Sequence, residues 1–187
     1  MASLRARRQA GVTLAEMLVA VAVIAAGAAI AVPAMDPVTL PYADAAAGEV
    51  ARALRFAQRE AVRTGAWYTV KFDTGAQTLR VYRLTTSGIV GEDTSYPVLH
   101  PIDRRKYDIA FGAPSMARAT ITLVDFDYDK GATNANFVSF GPDGTPADIH
   151  GWLLKDTDAL KVGIVTIVAG NQKRTLTVDP ATGRVGT

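Results

Sequence analysis

The chain has 187 residues, 49% of them apolar, and no cysteine. That is enough for one modest domain with a real core plus a helical anchor, and it excludes disulfides and thiolate metal sites. The formal net charge is +2, but Met1–Gly11 carries Arg5, Arg7 and Arg8 and no acid; without those three of the 20 basic residues, 17 stand against 18 acids, so global charge gives no support for nucleic-acid binding.

From Val12 to Met35 the sequence reads VTLAEMLVAVAVIAAGAAIAVPAM, with Glu16 its only charge. At ~1.5 Å rise per residue, such a run spans the ~30 Å core of a bilayer. The three arginines before it set the orientation: they stay in the cytoplasm and the rest of the chain lies outside. Glu16 is the odd residue. A carboxylate inside a membrane costs about 2.5–3.5 kcal/mol on insertion scales, so it needs a partner. A cut after Gly11 would put a new α-amino group on Val12, one helical turn away, available to Glu16 of a neighbouring subunit. Two other readings compete. One is a secretory signal peptide with Ala29-Ile30-Ala31 as its cleavage site, against which Glu16 at the start of the apolar run argues. The other is a plain single-span anchor with an incidental glutamate.

The stretch Gly11-Val12-Thr13-Leu14-Ala15-Glu16 resembles the processing site of type IV prepilins. The resemblance implies a dedicated peptidase that cuts between Gly11 and Val12 and methylates Val12. It implies that Glu16, at the fifth mature position, serves assembly. Pro33 falls where the family often has proline. The family's first mature residue is usually Phe, whereas here it is Val12.

Beyond the apolar run, Asp36-Pro37 and Pro41 interrupt helical continuity, which predicts a kink or a melted stretch near Pro33–Ala43. A second helix is expected from Asp44, as N-cap, to Arg63, with Gly65 as its stop. Ala47, Val50/Ala51, Leu54, Ala57 and Ala61 form its apolar stripe. Arg52, Arg55, Arg59 and Arg63 form another, either a solvated face beside Glu49 and Glu60 or a contact strip for neighbouring subunits. Strands follow. Trp67–Asp73 and Leu79–Leu84 flank the turn Thr74-Gly75-Ala76-Gln77 as a hairpin. Ala119–Phe126, Phe137–Phe140 and Lys173–Val178 are further strands. Val162–Val168 is apolar on both faces, as in a buried strand. Turns are expected at Gly141–Gly144, Gly170-Asn171 and Pro180–Gly183. The expected organisation is a leader over 1–11, a transmembrane helix over 12–35, a periplasmic helical half over 36–65 and a β-rich domain over 66–187.

The segments EVARALRFAQREAVRTGAWYTVKF (Glu49–Phe72), FVSFGPDGTP (Phe137–Pro146) and the closing RTLTVDPATGRV together resemble the H-type pseudopilins of type II secretion and the related FimT-like minor pilins. The resemblance covers nearly the whole chain. It implies an α+β, type IV pilin-like fold: a long N-terminal helix, membrane-spanning in its first half, packed on a C-terminal antiparallel β-sheet domain. It implies a minor subunit of the type II secretion pseudopilus, near the filament tip, in protein export across the outer membrane. The alternative is a FimT-like minor type IV pilin in pilus assembly or DNA uptake. The implied partners are other pseudopilins or minor pilins, the prepilin peptidase and the inner-membrane assembly platform. The implied location is the bacterial inner membrane, single-pass, with the C-terminal domain in the periplasm.

No enzyme and no cofactor are expected. His100 and His150 sit in no ligand or nucleophile motif, and no G-x-S-x-G, P-loop or H-E-x-x-H occurs. Asp125, Asp127 and Asp129 resemble the start of a calcium loop. However, Lys130 stands where an EF-hand requires glycine, and Asn136 where the closing glutamate belongs. The same alternation suits a strand with Phe126 and Tyr128 facing inward. Lys173, Arg174 and Arg184 are candidate phosphate contacts for DNA. The Gly-Arg-x-Arg pattern that FimT-like DNA binders carry is broken, because Gly183-Arg184-Val185 is followed by Gly186. Nucleic acid is therefore not an expected partner. Cleavage is checked by intact mass: membrane-extracted protein should lack residues 1–11, and a start near Val32 would instead mark a secretory signal.

Overall fold

The computed structural model of the chain describes residues 13–31, 39–85, 90–112, 116, 118–150 and 156–187. It divides into two compact units, Met1–Pro37 and Val38–Thr187. The first contains helix α1, Leu14–Ala31. Apart from Glu16, its described side chains are apolar: Leu14, Met17, Leu18, Val19, Val21, Val23 and Ile24 are all more than 60% exposed. No described helix is long and apolar enough to cross a membrane. The 18 residues of α1 rise roughly 27 Å, just short of the ~30 Å hydrocarbon core. Gly11, Val12 and Pro33, and the stretch around Asp36-Pro37, lie outside the described residues.

The second unit opens with α2, Thr39–Thr64. It starts five residues before the expected Asp44. Pro41 does not interrupt it, because Pro41 sits in the first turn, where the missing N–H would have had no intrahelical partner. Asp44 lies inside the helix and is not its cap; its carboxylate instead takes a bond from Arg174 Nε at 2.5 Å. The helix ends as expected. Gly65 adopts φ +67° and donates its N–H to Ala61 O, the left-handed stop that glycine supplies without strain. Ala43, Ala46, Val50, Ala53, Leu54, Ala57 and Ala61 are completely buried. Five of those seven are alanines, so the helix presents little side-chain volume and its backbone can lie close to what covers it.

Among the described residues a nine-stranded antiparallel sheet provides the cover, in the order β3-β2-β1-β5-β6-β7-β8-β9, with β4 paired to β7. The strands are β1 Tyr68–Asp73, β2 Thr78–Arg83, β3 Asp108–Ala110, β4 Ala119–Tyr128, β5 Phe137–Phe140, β6 Pro146–His150, β7 Asp156–Ala169, β8 Gln172–Val178 and β9 Val185–Gly186. Alternation selects the core face: Val70, Phe72, Leu79, Val81, Val138, Phe140, Val165, Ile167, Leu176 and Val178 all pack in the cluster that holds the buried face of α2. The expected hairpin is present, turned by Asp73, whose Oδ1 accepts the N–H groups of Gly75 and Ala76. Strand β7 is twice the expected length. Its second half is buried because β4 and β8 both pair with it. Strands β3, β6 and β9 were not expected. They are short or, in β6, begin with proline, and their pairing to neighbours rather than local propensity makes them strands.

β4 and β6 take consecutive stretches of β7, Leu160–Ala169 and Asp156–Ala159. The outer edge of β4 is closed piecemeal. Phe126 exchanges both backbone bonds with Ala135, and Tyr128 N–H bonds Ala132 O. At Ile121 the side-chain amide of Gln77 does the same work: Ile121 N–H donates to Oε1 at 2.7 Å, and Nε2 donates to Ile121 O at 3.0 Å. Between β2 and β3 a small finger projects. Val98 and Tyr107, Leu99 and Lys106, and His100 and Arg105 face one another across it. Its base is fixed by Tyr107, 2% exposed, packed edge-on to Phe56 of α2 and to His100. Burial pushes the Tyr107 hydroxyl up to about 12.

Among the described residues the buried hydrophobic core lies between Ala43 and Val178. A chain beginning at Val38 is therefore expected to be monomeric and folded under reducing conditions. One beginning at Asp44 should be less stable, because it loses the first turn of α2 and buried Ala43. In the longer form Leu54→Ala should cost about 2–5 kcal/mol by urea unfolding. Equal stability of the two truncations would show that the first turn contributes nothing.

Candidate functional site

The start of α1 holds the first candidate. Thr13 and Glu16 form a reciprocal cap. Glu16 N–H donates to Thr13 Oγ1 at 3.3 Å, and Thr13 N–H donates to Glu16 Oε2 at 3.0 Å. The Thr13 hydroxyl adds a 3.1 Å bond to the same Oε2. This is the S/T-x-x-E capping box, which satisfies helix-start donors that would otherwise lack partners. All three bonds leave Oε1 without one among the described residues. Glu16 thus both starts the helix and presents an oxygen outward, on a segment whose other side chains are apolar.

The arginine face of α2 is the second. Arg52, Arg55, Arg59 and Arg63 are all exposed. Arg52 pairs with Glu49 and Arg63 with Glu60, each one turn apart. The Glu60 carboxylate raises the affinity of Arg63 for its proton. Among the described residues Arg55 and Arg59 find no acid; they donate to backbone carbonyls, Arg55 to Val185 O and Arg59 to Arg55 O. The ridge is therefore neutralised at both ends and cationic in its middle. Beside it, Gln58 ties down two turns. Its Nε2 donates to Gly144 O at 2.9 Å and to Thr182 O at 2.7 Å. The fit is tight: a Cβ on Gly183, whose φ is +67°, would lie 2.6 Å from that nitrogen. Both turns are shaped by an aspartate, Asp143 and Asp179, whose carboxyls are held below the ordinary range by hydroxyl and N–H bonds from Thr145 and Thr182.

The candidate DNA contacts are not brought together. Lys173 and Arg174 are adjacent on β8 and so point to opposite faces of the sheet. Arg174 is engaged by Asp44, a contact that sequence spacing could not have signalled across 130 residues. Arg184 lies beyond the other end of β8, next to β9. Of the aspartates of the calcium reading, Asp125 and Asp127 lie on β4 and Asp129 just beyond its end. Asp127 Oδ1 accepts Asn134 N–H, and Asp129 pairs with Lys161 at 3.2 Å. Phe126 and Tyr128 face inward, as a strand requires. Among the described residues no group of three metal-ligating side chains converges.

Two family models match the sequence. Residues 6–32 match the prokaryotic N-terminal methylation motif. Residues 46–183 match the type II transport protein GspH. The chain belongs to the GspH family. No curated protein matches it. Among solved structures, the minor pseudopilin EpsH from the type 2 secretion system of Vibrio cholerae is 13% identical, over 77% of this chain and 94% of that one, with a TM-score of 0.47. The type IV minor pilin FimU of Pseudomonas aeruginosa is 15% identical, over 77% and 86%, with a TM-score of 0.41. A second crystal form of FimU matches over 76% and 90%, with a TM-score of 0.40.

In the GspH-family domain the scattered basic residues predict weak DNA binding that is lost at moderate salt. A gel shift with the domain from Val38 checks this. Sub-micromolar binding at physiological salt, abolished by Lys173→Ala, Arg174→Ala and Arg184→Ala together, would contradict it.

Proposed function

We propose that the chain is a minor pseudopilin, a structural subunit of the type II secretion pseudopilus. The observation that carries the reading is the order of the two family matches: a methylation motif over 6–32, followed by a GspH domain over 46–183. In this reading a prepilin peptidase cuts between Gly11 and Val12 and methylates Val12. Segment 12–35 holds the subunit in the inner membrane as a single span, with the domain in the periplasm. The assembly platform then moves it into a filament with other pseudopilins.

The surface of α1 supports this. A helix apolar on all sides is stable only in lipid or among other helices. Glu16 supplies the register. Its Oε2 stays on Thr13, and its Oε1 receives the α-amino group of a neighbour's Val12. In the apolar interior that pairing offsets the cost of both charges and fixes how far one subunit sits along the next. The cationic middle of the α2 ridge, Arg55 and Arg59, faces a neighbouring subunit in the same filament. Pro33 is assigned to the same assembly step by its position in the motif.

Two substitutions separate the roles of Glu16. Glutamine can keep the capping box but carries no charge; alanine loses both. Both Glu16→Gln and Glu16→Ala should insert and be processed normally. Both should reduce crosslinking to other pilin-like subunits from membranes. Full recovery with Glu16→Gln would mean that the cap, and not the charge, is what assembly needs. The identity of the recovered partners, secretion subunits or pilus subunits, distinguishes the pseudopilus from a minor type IV pilus.

A further inference from the structure

The finger between β2 and β3 is built unlike the rest of the domain surface. Its walls are closed by backbone bonds from Tyr107 N–H to Val98 O and from His100 N–H to Arg105 O. Its tip is Pro101-Ile102-Asp103-Arg104. Ile102 is 83% exposed, the most exposed large apolar side chain among the described residues. Next to it Arg104, Arg105 and Lys106 are all exposed. The tip's one acid, itself half exposed, is engaged within the finger: Asp103 Oδ1 accepts Arg105 N–H at 3.1 Å and lies 3.4 Å from His100 Nδ1. His100 in turn faces Glu49 of α2 at 3.6 Å. The tip thus carries one exposed apolar side chain, followed along the chain by three exposed cations.

The tip of the finger does not serve the core. Ile102 is almost wholly exposed, and Arg104 is held at φ +58°, a conformation that non-glycine residues seldom adopt. We infer that the Pro101–Lys106 tip is a membrane-surface contact that takes anionic phospholipid headgroups: Arg104, Arg105 and Lys106 meet the phosphates while Ile102 enters the acyl boundary. Apolar burial and cationic attraction reinforce one another at such a surface. The chain's own connectivity favours lipid as the occupant. Only residues 32–38 separate α1 from α2, at most about 25 Å of extended chain. A bilayer that holds α1 therefore keeps the domain at high local concentration beside its headgroups. The inference rests on the membrane-anchored reading above.

The absence of cysteine makes the test clean. The full chain with Ile102→Cys carries an environment-sensitive fluorophore and is reconstituted at low density into vesicles. One set is purely zwitterionic; the other contains phosphatidylglycerol. Ala181→Cys, in an exposed turn, is the control position. The expected result is a blue shift at 102 in the phosphatidylglycerol vesicles only, lost at high salt and lost with Arg105→Glu plus Lys106→Glu. Both charge reversals are at exposed side chains, and circular dichroism checks that the fold is kept. Incorporation without a lipid-dependent shift at 102 overturns the headgroup contact and leaves the anchor intact. Failure to incorporate at all overturns the anchor and the contact with it. A shift that appears only at high chain density, whatever the lipid, marks a contact between protein chains and also overturns it.

Discussion

The domain depends on the contact between an alanine-faced helix and a curved antiparallel sheet. Small side chains on α2 mean that the sheet supplies the volume: Phe72, Phe126, Phe140, Leu79 and Ile167 fill the space that the helix leaves. Such a core works only if the two surfaces approach closely and evenly, because a gap forfeits the dispersion contacts on both sides. The polar ties at the rim follow from this. Arg174 to Asp44, Arg55 to Val185 and Gln58 to two turns all join the helix to the strand ends at the margin of the core. With no disulfide in the chain, these ties and the packing carry the whole load.

The two units solve opposite problems. Val38–Thr187 gathers most of its large apolar residues into one core. The described side chains of α1 show apolar surface in every direction and a single carboxylate. One chain thus holds a part with a finished core of its own and a part that, in the proposed function, is completed by lipid or by other helices. The GspH-family match spans the finished part, and the methylation motif spans the other.

Much of this was legible in the sequence because it is local. The i, i+3/i+4 stripe of α2, the Thr74–Gln77 turn and the glycine at 65 each depend on residues a few positions apart. What was not legible is non-local. Asp44 reads as a helix cap because aspartate favours that place; its actual partner lies on β8, far along the chain. Pro41 reads as a breaker until the helix is seen to start at Thr39, which turns position 41 into a tolerated one. Strand β6 has little strand propensity of its own, and its neighbours β5 and β7 impose its conformation. The basic residues 173, 174 and 184 look like a cluster in one dimension. Strand alternation sends the first two to opposite faces, and the length of β8 removes the third.

The amide of Gln77 has a consequence beyond the local turn. Strand β4 has one flank on β7 and the other open, and Leu123 near its middle is 47% exposed. An open flank beside an apolar side chain is a template on which another chain can add a strand. By bonding both the N–H and the C=O of Ile121, Gln77 imitates a strand one residue long, and Ala135 does the same at Phe126. A subunit of the proposed filament would have to be unable to polymerise through its other surfaces. The Gln77 amide occupies backbone groups of Ile121 that an added strand would need.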